Sequence, residues 1–363
     1  MGRTTVSFLA WAPTAGRARD LAGDLGGVAR TIYPARLAAR RATPLRYVVS
    51  ALATVAHLVT RRPRAVVVQN PPIYPALLCL AYARMTGSGF VLDNHPAAFG
   101  AKDNAQARRM LGITRFLAAQ ANGVLVTTES WAEVVRGWGG RPLVLHEAPP
   151  RWQVSPVRAL QGRRPRVLFA CVYASDEPVA AVIEAGRLLP GIDITITGDP
   201  RKAPASLLDD LPSNVHISGW LDQQAYAAEV DACDVLLALT TEPTSVMRAA
   251  YEAGYAGRVL VMSDTRAMRP LFPEAVVTDL DPESLAESLT RALEDFDRLV
   301  STLPHIRDRQ HSRWADQRTG LLQILGLAAE VPELVDDCHS EEVMNVLHVD
   351  GPRVVRAPTK GGL

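Results

Sequence analysis

The 363-residue sequence predicts an α/β protein with two domains, each built on a parallel sheet. Three observations carry that expectation. Short apolar runs alternate with helical stretches of crossover length. The alternation stops at a Pro- and Arg-rich piece, Ala148 to Pro165, and then restarts. Charge also divides there: residues 1–165 hold 22 Lys and Arg against 7 Asp and Glu, and the remainder 17 against 31. An apolar content of 48% with few aromatics fits this class.

In the first half, Thr5 to Ala10 reads as a strand, followed by a loop with Gly16, Arg17 and Arg19 and a helix through Leu21 and Leu25. Gly26-Gly27 closes that helix, and Val28 to Tyr33 is the next strand. Residues 44–62 form a helix with apolar positions at Leu45, Val48, Val49, Leu52, Val55, Ala56 and Val59. Arg40, Arg41, Arg46, Arg61 and Arg62 lie near its ends. It reads either as a domain helix with solvated ends or as a contact with an anionic membrane surface. Ala65 to Val68 is a strand ending in Gln69-Asn70-Pro71-Pro72, and Phe90 to Leu92 one ending in Asp93-Asn94-His95. Gly123 to Thr127 and Leu143 to Leu145 follow, with helices between them.

The second half repeats the alternation. Strands are expected at Arg166 to Ala170, Asp193 to Thr197 and Val215 to Ser218, the last two ending in Gly198-Asp199 and Gly219-Trp220. Leu237 to Asp264 is the stretch around which the rest is organised: a buried strand, a polar elbow, a short helix and a second buried strand. Thr244 or Ser245 is placed to cap the helix, and Gly257 to end it. A helix N-terminus at the carboxyl end of a parallel strand is an anion site. Arg248 adds a fork suited to phosphate oxygens, and Glu252 can accept two hydrogen bonds from a vicinal diol. Diphosphate beside ribose suits this order; so does an ordinary crossover with a solvated Arg and Glu. Val276 to Thr278, a helix over 282–296 and a last helical segment near 305–328 complete the pattern. From Val331 onward a poorly ordered tail is expected.

Other chemistry is unsupported. There is no GxGxxG after the first strand, no GxxxxGK[ST], no HExxH and no GxSxG. Asp279-Leu280-Asp281 is formally a DxD, but Asp281-Pro282-Glu283 makes a better helix start. The scattered histidines predict no metal site. The four cysteines read as reduced, buried thiols of a cytosolic protein. The first residues have too short an apolar run for a signal peptide, and no run approaches the ~20 apolar residues that cross a bilayer. Between Asp24 and Asp93 there is no acidic residue. Nucleic acid is a weaker expectation than an anionic membrane for this half, because interleaved aromatics are missing.

The segment from Thr240 to Asp264, TTEPTSVMRAAYEA followed by VLVMSD, resembles the donor site of GT-B glycosyltransferases, in particular a bacterial group of family-4-like enzymes. QNPP at 69–72, DNHPAAFG at 93–100, SDEPVAAVIEAGRLLP at 175–190, ITGD at 196–199 and ISGWLDQQAY at 217–226 match the same group. QNPP followed by D-x-H also resembles the mannosyltransferases that add the first mannose to a lipid-linked chitobiose.

The resemblance implies two Rossmann-like domains facing each other across a cleft. Residues 1–150 would form the acceptor side, 151–165 a linker and 166–300 the nucleotide-sugar-binding domain, with 301–330 crossing back and 331–363 a tail. It implies that Glu252 binds the donor ribose and the amides around Thr244 and Ser245 the diphosphate, assisted by Arg248. Gly198 would border the donor, and Gly219 with Trp220 would frame the base. Asp93 or His95 is the candidate to take the acceptor proton, and Glu242 lies on the elbow nearer the sugar. Two departures stand out. Glu242 and Glu252 are ten positions apart instead of the family's eight, about 1000° of helix against 800°, so they cannot share the usual face. The basic pair after the first strand of the donor domain is replaced by Ser175-Asp176-Glu177, whose acids would repel a diphosphate; Arg201 and Lys202 are expected to compensate.

The activity implied is a metal-independent hexosyl transfer from a nucleotide-diphosphate sugar, with GDP-mannose among the donors, to a lipid-linked or surface-polysaccharide precursor. The protein would work in the cytoplasm, peripherally on the inner face of the plasma membrane. A nucleotide-sugar epimerase on the same fold, or an inactive relative that binds glycan or a partner, are the alternatives.

Overall fold

The computed structural model describes residues 5–13, 15–100 and 105–327. The tail expected beyond 331 lies outside the described residues. The first half runs β1 (Val6–Ala10), α1 (Gly16–Asp24), β2 (Val28–Thr31), α2 (Thr43–Arg61), β3 (Ala65–Asn70), α3 (Tyr74–Thr86), β4 (Gly89–Asn94), α4 (Ala105–Gln120), β5 (Gly123–Val126), α5 (Glu129–Gly137) and β6 (Pro142–Val144). The second runs β7 (Arg166–Phe169), α6 (Val179–Leu188), β8 (Asp193–Thr197), α7 (Ala205–Leu208), β9 (Val215–Gly219), α8 (Gln223–Ala232), β10 (Val235–Ala238), α9 (Arg248–Ala256), β11 (Val259–Ser263), β12 (Val276–Thr278), α10 (Pro282–Glu294) and α11 (Phe296–Leu325).

The strands form two six-stranded sheets, in the orders β2-β1-β3-β4-β5-β6 and β12-β11-β10-β7-β8-β9. The strand pairs are parallel, for example Leu236 opposite Leu168 and Asn70 opposite Asn94. Strand order reverses between β1 and β3 in the first sheet and between β7 and β10 in the second. Parallel α/β sheets bind ligands at the carboxyl ends of the strands flanking such reversals.

The central strands are apolar along their whole length because helices cover both faces. Val235, Leu237, Val261 and Phe169 pack under α6 and α10 on one side of the second sheet. Leu168, Leu236 and Met262 pack against α8 and α9 on the other. Val66, Val68, Leu92 and Val124 fill the corresponding core of the first half.

Several expectations change. The last helix does not start near residue 305. It begins at Phe296 and runs through Pro304, because Leu299 and Leu303 before the proline and Trp314, Leu321 and Leu322 after it are all buried. That packing outweighs the roughly 3 kcal/mol a proline costs inside a helix. The helix ties the halves together: Arg309 holds Glu274 through two bonds of 2.5 Å, and Arg318 donates to Asp24 at 2.8 Å. Asp281 does cap α10, accepting from the Ser284 amide at 2.8 Å, with Pro282 as the first helical residue.

Helix α2 departs furthest from expectation. Its apolar residues point outward: Leu45, Val48, Leu52 and Val59 are each more than half exposed. Its buried residues are Ser50, Thr54 and Leu58, the last packed in the core of the first half. Thr54 accepts from the Trp11 indole at 2.9 Å, and His57 Nε2 lies 3.1 Å from the Ser7 hydroxyl. The helix is therefore docked by Leu58 and polar contacts, with most of its large apolar side chains outside. The surrounding segment Arg40–Arg61 spans 22 residues, and an 18-residue window within it has a mean hydropathy of 1.3, enough by length and composition alone to cross a membrane. Arg46, Ser50, Thr54 and His57 interrupt it, so the segment meets the length and mean hydropathy of a spanning helix without being a continuous apolar run.

Candidate functional site

The reversal in the second sheet brings together the loops after β7 and β10. The Thr240 hydroxyl donates to Asp176 at 2.9 Å, and the Thr241 amide donates to the Asp176 carbonyl at 2.8 Å. Glu177 turns inward: its Oε2 accepts from the amides of Val172 and Ala174 at 3.0 and 2.7 Å and from the Cys171 thiol at 3.3 Å. Asp176 and Glu177 therefore scaffold the loop, with backbone amides compensating Glu177's charge. This replaces the expectation that the pair simply repels a diphosphate.

Gly198, after β8, has φ +106° and donates to the Gly219 carbonyl at 3.0 Å. A Cβ there would come within 2.5 Å of the Cys171 carbonyl, so only glycine lets the β7 and β8 loops close on each other. Trp220 follows, 58% exposed. Arg201 is solvent-facing and held by Asp199 at 2.8 Å, and Lys202 is exposed. In this state Arg201 is paired with Asp199.

The elbow after β10 also differs from the expected cap. Helix α9 starts at Arg248 with Met247 as N-cap and no side-chain cap bond. Thr244 donates its hydroxyl to Glu242 at 2.8 Å, and the Ser245 amide bonds the Glu242 carbonyl at 3.2 Å. Neither Thr244 nor Ser245 caps the helix, because the Glu242–Ser245 turn closes on itself. The Ala250 amide donates to the Met247 carbonyl at 3.1 Å, and no side chain caps the amides before it. Arg248 is the first residue of the helix and not one turn inside it.

Glu252 is 6% exposed with both oxygens engaged: Oε1 accepts from Arg248 Nε at 2.7 Å and Oε2 from the Tyr226 hydroxyl at 2.6 Å. The open carboxylate expected for a diol is therefore filled in this state. Burial, then Glu252, pushes the Tyr226 pKa well up, so Tyr226 stays a donor. Arg248 also reaches Asp20 of α1 at 2.5 Å and Glu147 at 3.6 Å. Burial works against its charge, but Glu252, Glu147 and Asp20 outweigh it and raise its pKa.

The contacts continue into the first half. Arg17 donates to Glu147 at 2.7 Å, to the carbonyls of Leu145 and His146 at 2.7 and 3.1 Å, and to Asp93 at 3.4 Å. Burial opposes ionisation of Asp93, yet Arg17 and then His95 hold its pKa below the ordinary carboxylate value. His95 Nε2 lies 3.7 Å from Asp93 Oδ2, is buried and has no hydrogen-bond partner. The His95 amide donates to the Asn70 carbonyl at 3.0 Å, which fixes the turn after β4.

Asp93, His95, Arg248 and Glu252 thus belong to one polar chain across the two halves, linked by Arg17 and Glu147. Among the described residues, the pairs that link this chain do not include Glu242, Arg201, Lys202 or Trp220: Glu242 holds Thr244, and Arg201 holds Asp199. Sequence reasoning missed Asp20, Glu147 and the roles of Arg17 and Tyr226. Tyr226 ends a stretch already noted, ISGWLDQQAY, and Arg17 stood in the loop after the first strand; Asp20 and Glu147 gave no local signal. Among the described residues no group of three or more His, Cys, Asp or Glu side chains is arranged to hold a metal ion.

No protein-family model matches the sequence, and no curated protein matches it. Solved structures do. A sucrose-phosphate synthase from Thermosynechococcus elongatus has a TM-score of 0.64 at 16% identity, over 88% of this chain and 98% of that one. Anabaena HepE in complex with UDP-glucose has a TM-score of 0.67 at 12% identity, over 89% and 100%. An α,α-trehalose-phosphate synthase from Burkholderia xenovorans, in complex with glucose-6-phosphate, has 0.62 at 11% over 90% and 100%. At these identities the likeness is one of fold. With its two parallel six-stranded sheets, the chain has the GT-B fold of two Rossmann-like domains.

Proposed function

We propose that this protein is a glycosyltransferase that moves a sugar from a nucleotide-diphosphate donor to a lipid-linked or surface-polysaccharide precursor. The observation that carries the reading is the join between the halves: α9, uncapped, presents Arg248 and Glu252 against Asp20 and Glu147, one arginine away from Asp93 and His95. Donor binding would draw Arg248 away from its carboxylates and onto the diphosphate, and free Glu252 from Tyr226 for the ribose. Negative charge builds on the leaving diphosphate during transfer; helix amides and a guanidinium stabilise it without a metal. Of the two base candidates, His95 suits the role better, since Arg17 holds Asp93 ionised with a lowered pKa, which makes it the weaker base.

A hexosyl donor is the expectation, GDP-mannose and UDP-glucose among those to test. The exposed apolar face of α2 and the nine arginines between residues 25 and 92, with no acid among them, favour work on an anionic membrane surface, the inner face of the plasma membrane. A second reading, an inactive relative that binds glycan, is favoured by one observation: both Glu252 oxygens are already occupied. An epimerase would need neither the arginines nor the α2 face.

A thermal-shift screen across GDP-, UDP- and dTDP-sugars, followed by donor hydrolysis, tests the proposal. A shift with slow hydrolysis is expected. A shift without turnover in the presence of any acceptor extract supports the inactive relative, and co-sedimentation with anionic vesicles counts against the epimerase.

A further inference from the structure

The strand reversal in the first sheet carries a pocket of its own. Trp11 follows β1, Tyr33 follows β2, and Pro71 and Pro72 follow β3; with Arg46 and Tyr47 of α2 they line a pocket of about 280 Å³. It opens at the carboxyl ends of the strands, where α/β sheets take ligands. Asn70, just before the two prolines, is also the residue whose carbonyl holds the His95 amide. The pocket is therefore one strand away from the candidate base.

Its chemistry is specific. Its walls include Trp11 and Tyr47, with ring centroids 5.7 Å apart, and Tyr74 packs behind Tyr47 at 5.1 Å. Arg46 lies over the Tyr33 and Tyr47 rings at 5.0 and 5.8 Å. Its other contacts are neutral acceptors at 3.3 Å or longer, the Tyr33 hydroxyl, the Thr43 hydroxyl and the carbonyls of Leu37 and Ala38. No carboxylate pairs with it among the described residues. A half-buried guanidinium with only neutral partners is a site for an anion, and its fork fits phosphate oxygens. Arg46 sits on the same helix as Leu45, Val48, Val49 and Leu52, which are exposed. A ligand with a phosphate in the pocket would find an apolar surface alongside.

We propose that this pocket binds the phosphate headgroup of a lipid-linked acceptor, a polyprenyl phosphate in chemical class, with its chain lying along the outward face of α2. This rests on the glycosyltransferase reading and names its acceptor subsite. Surrounding arginines 36, 40, 41, 61 and 62 would hold the helix on the anionic bilayer, while Arg46 alone reads the headgroup.

The test is flotation of the protein with phosphatidylcholine vesicles that carry either polyprenyl phosphate or phosphatidylserine at matched surface charge. The polyprenyl phosphate vesicles should half-saturate at a concentration about tenfold lower. Arg46→Gln should erase that difference while keeping the phosphatidylserine binding; Val48→Glu with Leu52→Glu should abolish both. Where Arg46→Gln lowers the melting temperature, Tyr33→Ala replaces it, with the same narrowing expected. Equal affinity for the two vesicles, or an unchanged difference in both pocket variants, overturns the proposal. So does full competition by inorganic phosphate at constant ionic strength, which would make the ligand a free phosphate. A dimer in solution that Leu52→Glu dissolves, with no vesicle binding, would assign the α2 face to a second copy. None of these readouts uses a nucleotide sugar, so lipid binding can stand where donor turnover fails, and fail where turnover stands.

Discussion

Arg248 donates to Asp20 at 2.5 Å, joining the first residue of α9 to the second turn of α1 across the two halves. Around that contact, Arg17 and Arg248 pair with four carboxylates, Asp20, Asp93, Glu147 and Glu252. Burial outweighs the attraction of Arg248 and raises the Asp20 pKa, so this carboxylate is held ionised at some cost. A diphosphate must compete with it for the guanidinium. Asp20→Asn removes the competitor and should tighten nucleotide-sugar binding about fivefold, roughly 1 kcal/mol. Isothermal titration against the wild type checks this, and weaker binding would show that Asp20 positions Arg248 instead of blocking it.

Glu252 is expected to hold the donor ribose once Tyr226 releases it. A donor at a hundred times its dissociation constant stabilises the folded state by about 2.7 kcal/mol. Glu252→Ala should lose that thermal shift. Asp281→Ala, which removes the cap of α10, should lower stability by about 1 kcal/mol yet keep the shift. If both variants keep it, Glu252 has no part in donor binding.

The sheets were legible because their signal is local. Five apolar residues in a row at 235–239, closed by Thr240-Thr241, read as a strand covered on both sides, and Asp281 followed by Pro282 reads as a helix start. The elbow was not legible, since Thr244 had two partners within reach and Glu242 won over the helix amides. The partners of Arg248 were out of range of any pattern. Asp20 is 228 residues away and Glu147 more than a hundred, so only the assembled fold brings the charges together. Helix α2 stayed open for a different reason: an apolar stripe at helical spacing marks a face without saying whether that face turns in or out.

Acid should destabilise the protein through two histidines. Burial, then Arg313 and Arg17, pushes His146 down to about 3, and burial, then Arg30 and Arg61, pushes His57 down to about 4. The unfolded chain takes up both protons as pH falls through about 6.5, whereas the folded chain does not. Stability is therefore full above pH 6.5 and falls toward pH 4, by at most about 1.4 kcal/mol per histidine per unit. The half-buried His57 contributes the smaller part. His146→Asn keeps an acceptor for Gln317 and should flatten the decline. Urea midpoints at pH 7, 5.5 and 4.5 test it, and an equal slope in the variant would remove His146 from the account.

Gln310 of α11 is 3% exposed, and neither its Oε1 nor its Nε2 has a hydrogen-bond partner. Its amide fills the space over Gly254 of α9, where a Cβ would lie 2.1 Å from Nε2. The side chain thus serves by shape while its polar atoms go unsatisfied, and each such buried group costs about 1–3 kcal/mol. Leucine has nearly the same volume and no polar atom. Gln310→Leu should therefore raise stability by about 1 kcal/mol, net of the change in shape, and lift the melting temperature by about 2 °C. Gly254→Ala should do the reverse, since the added methyl must push the amide out of a packed space. Thermal melts of the two variants beside the wild type decide the matter, and a lower melting temperature for Gln310→Leu would mean that the amide does more here than fill a gap.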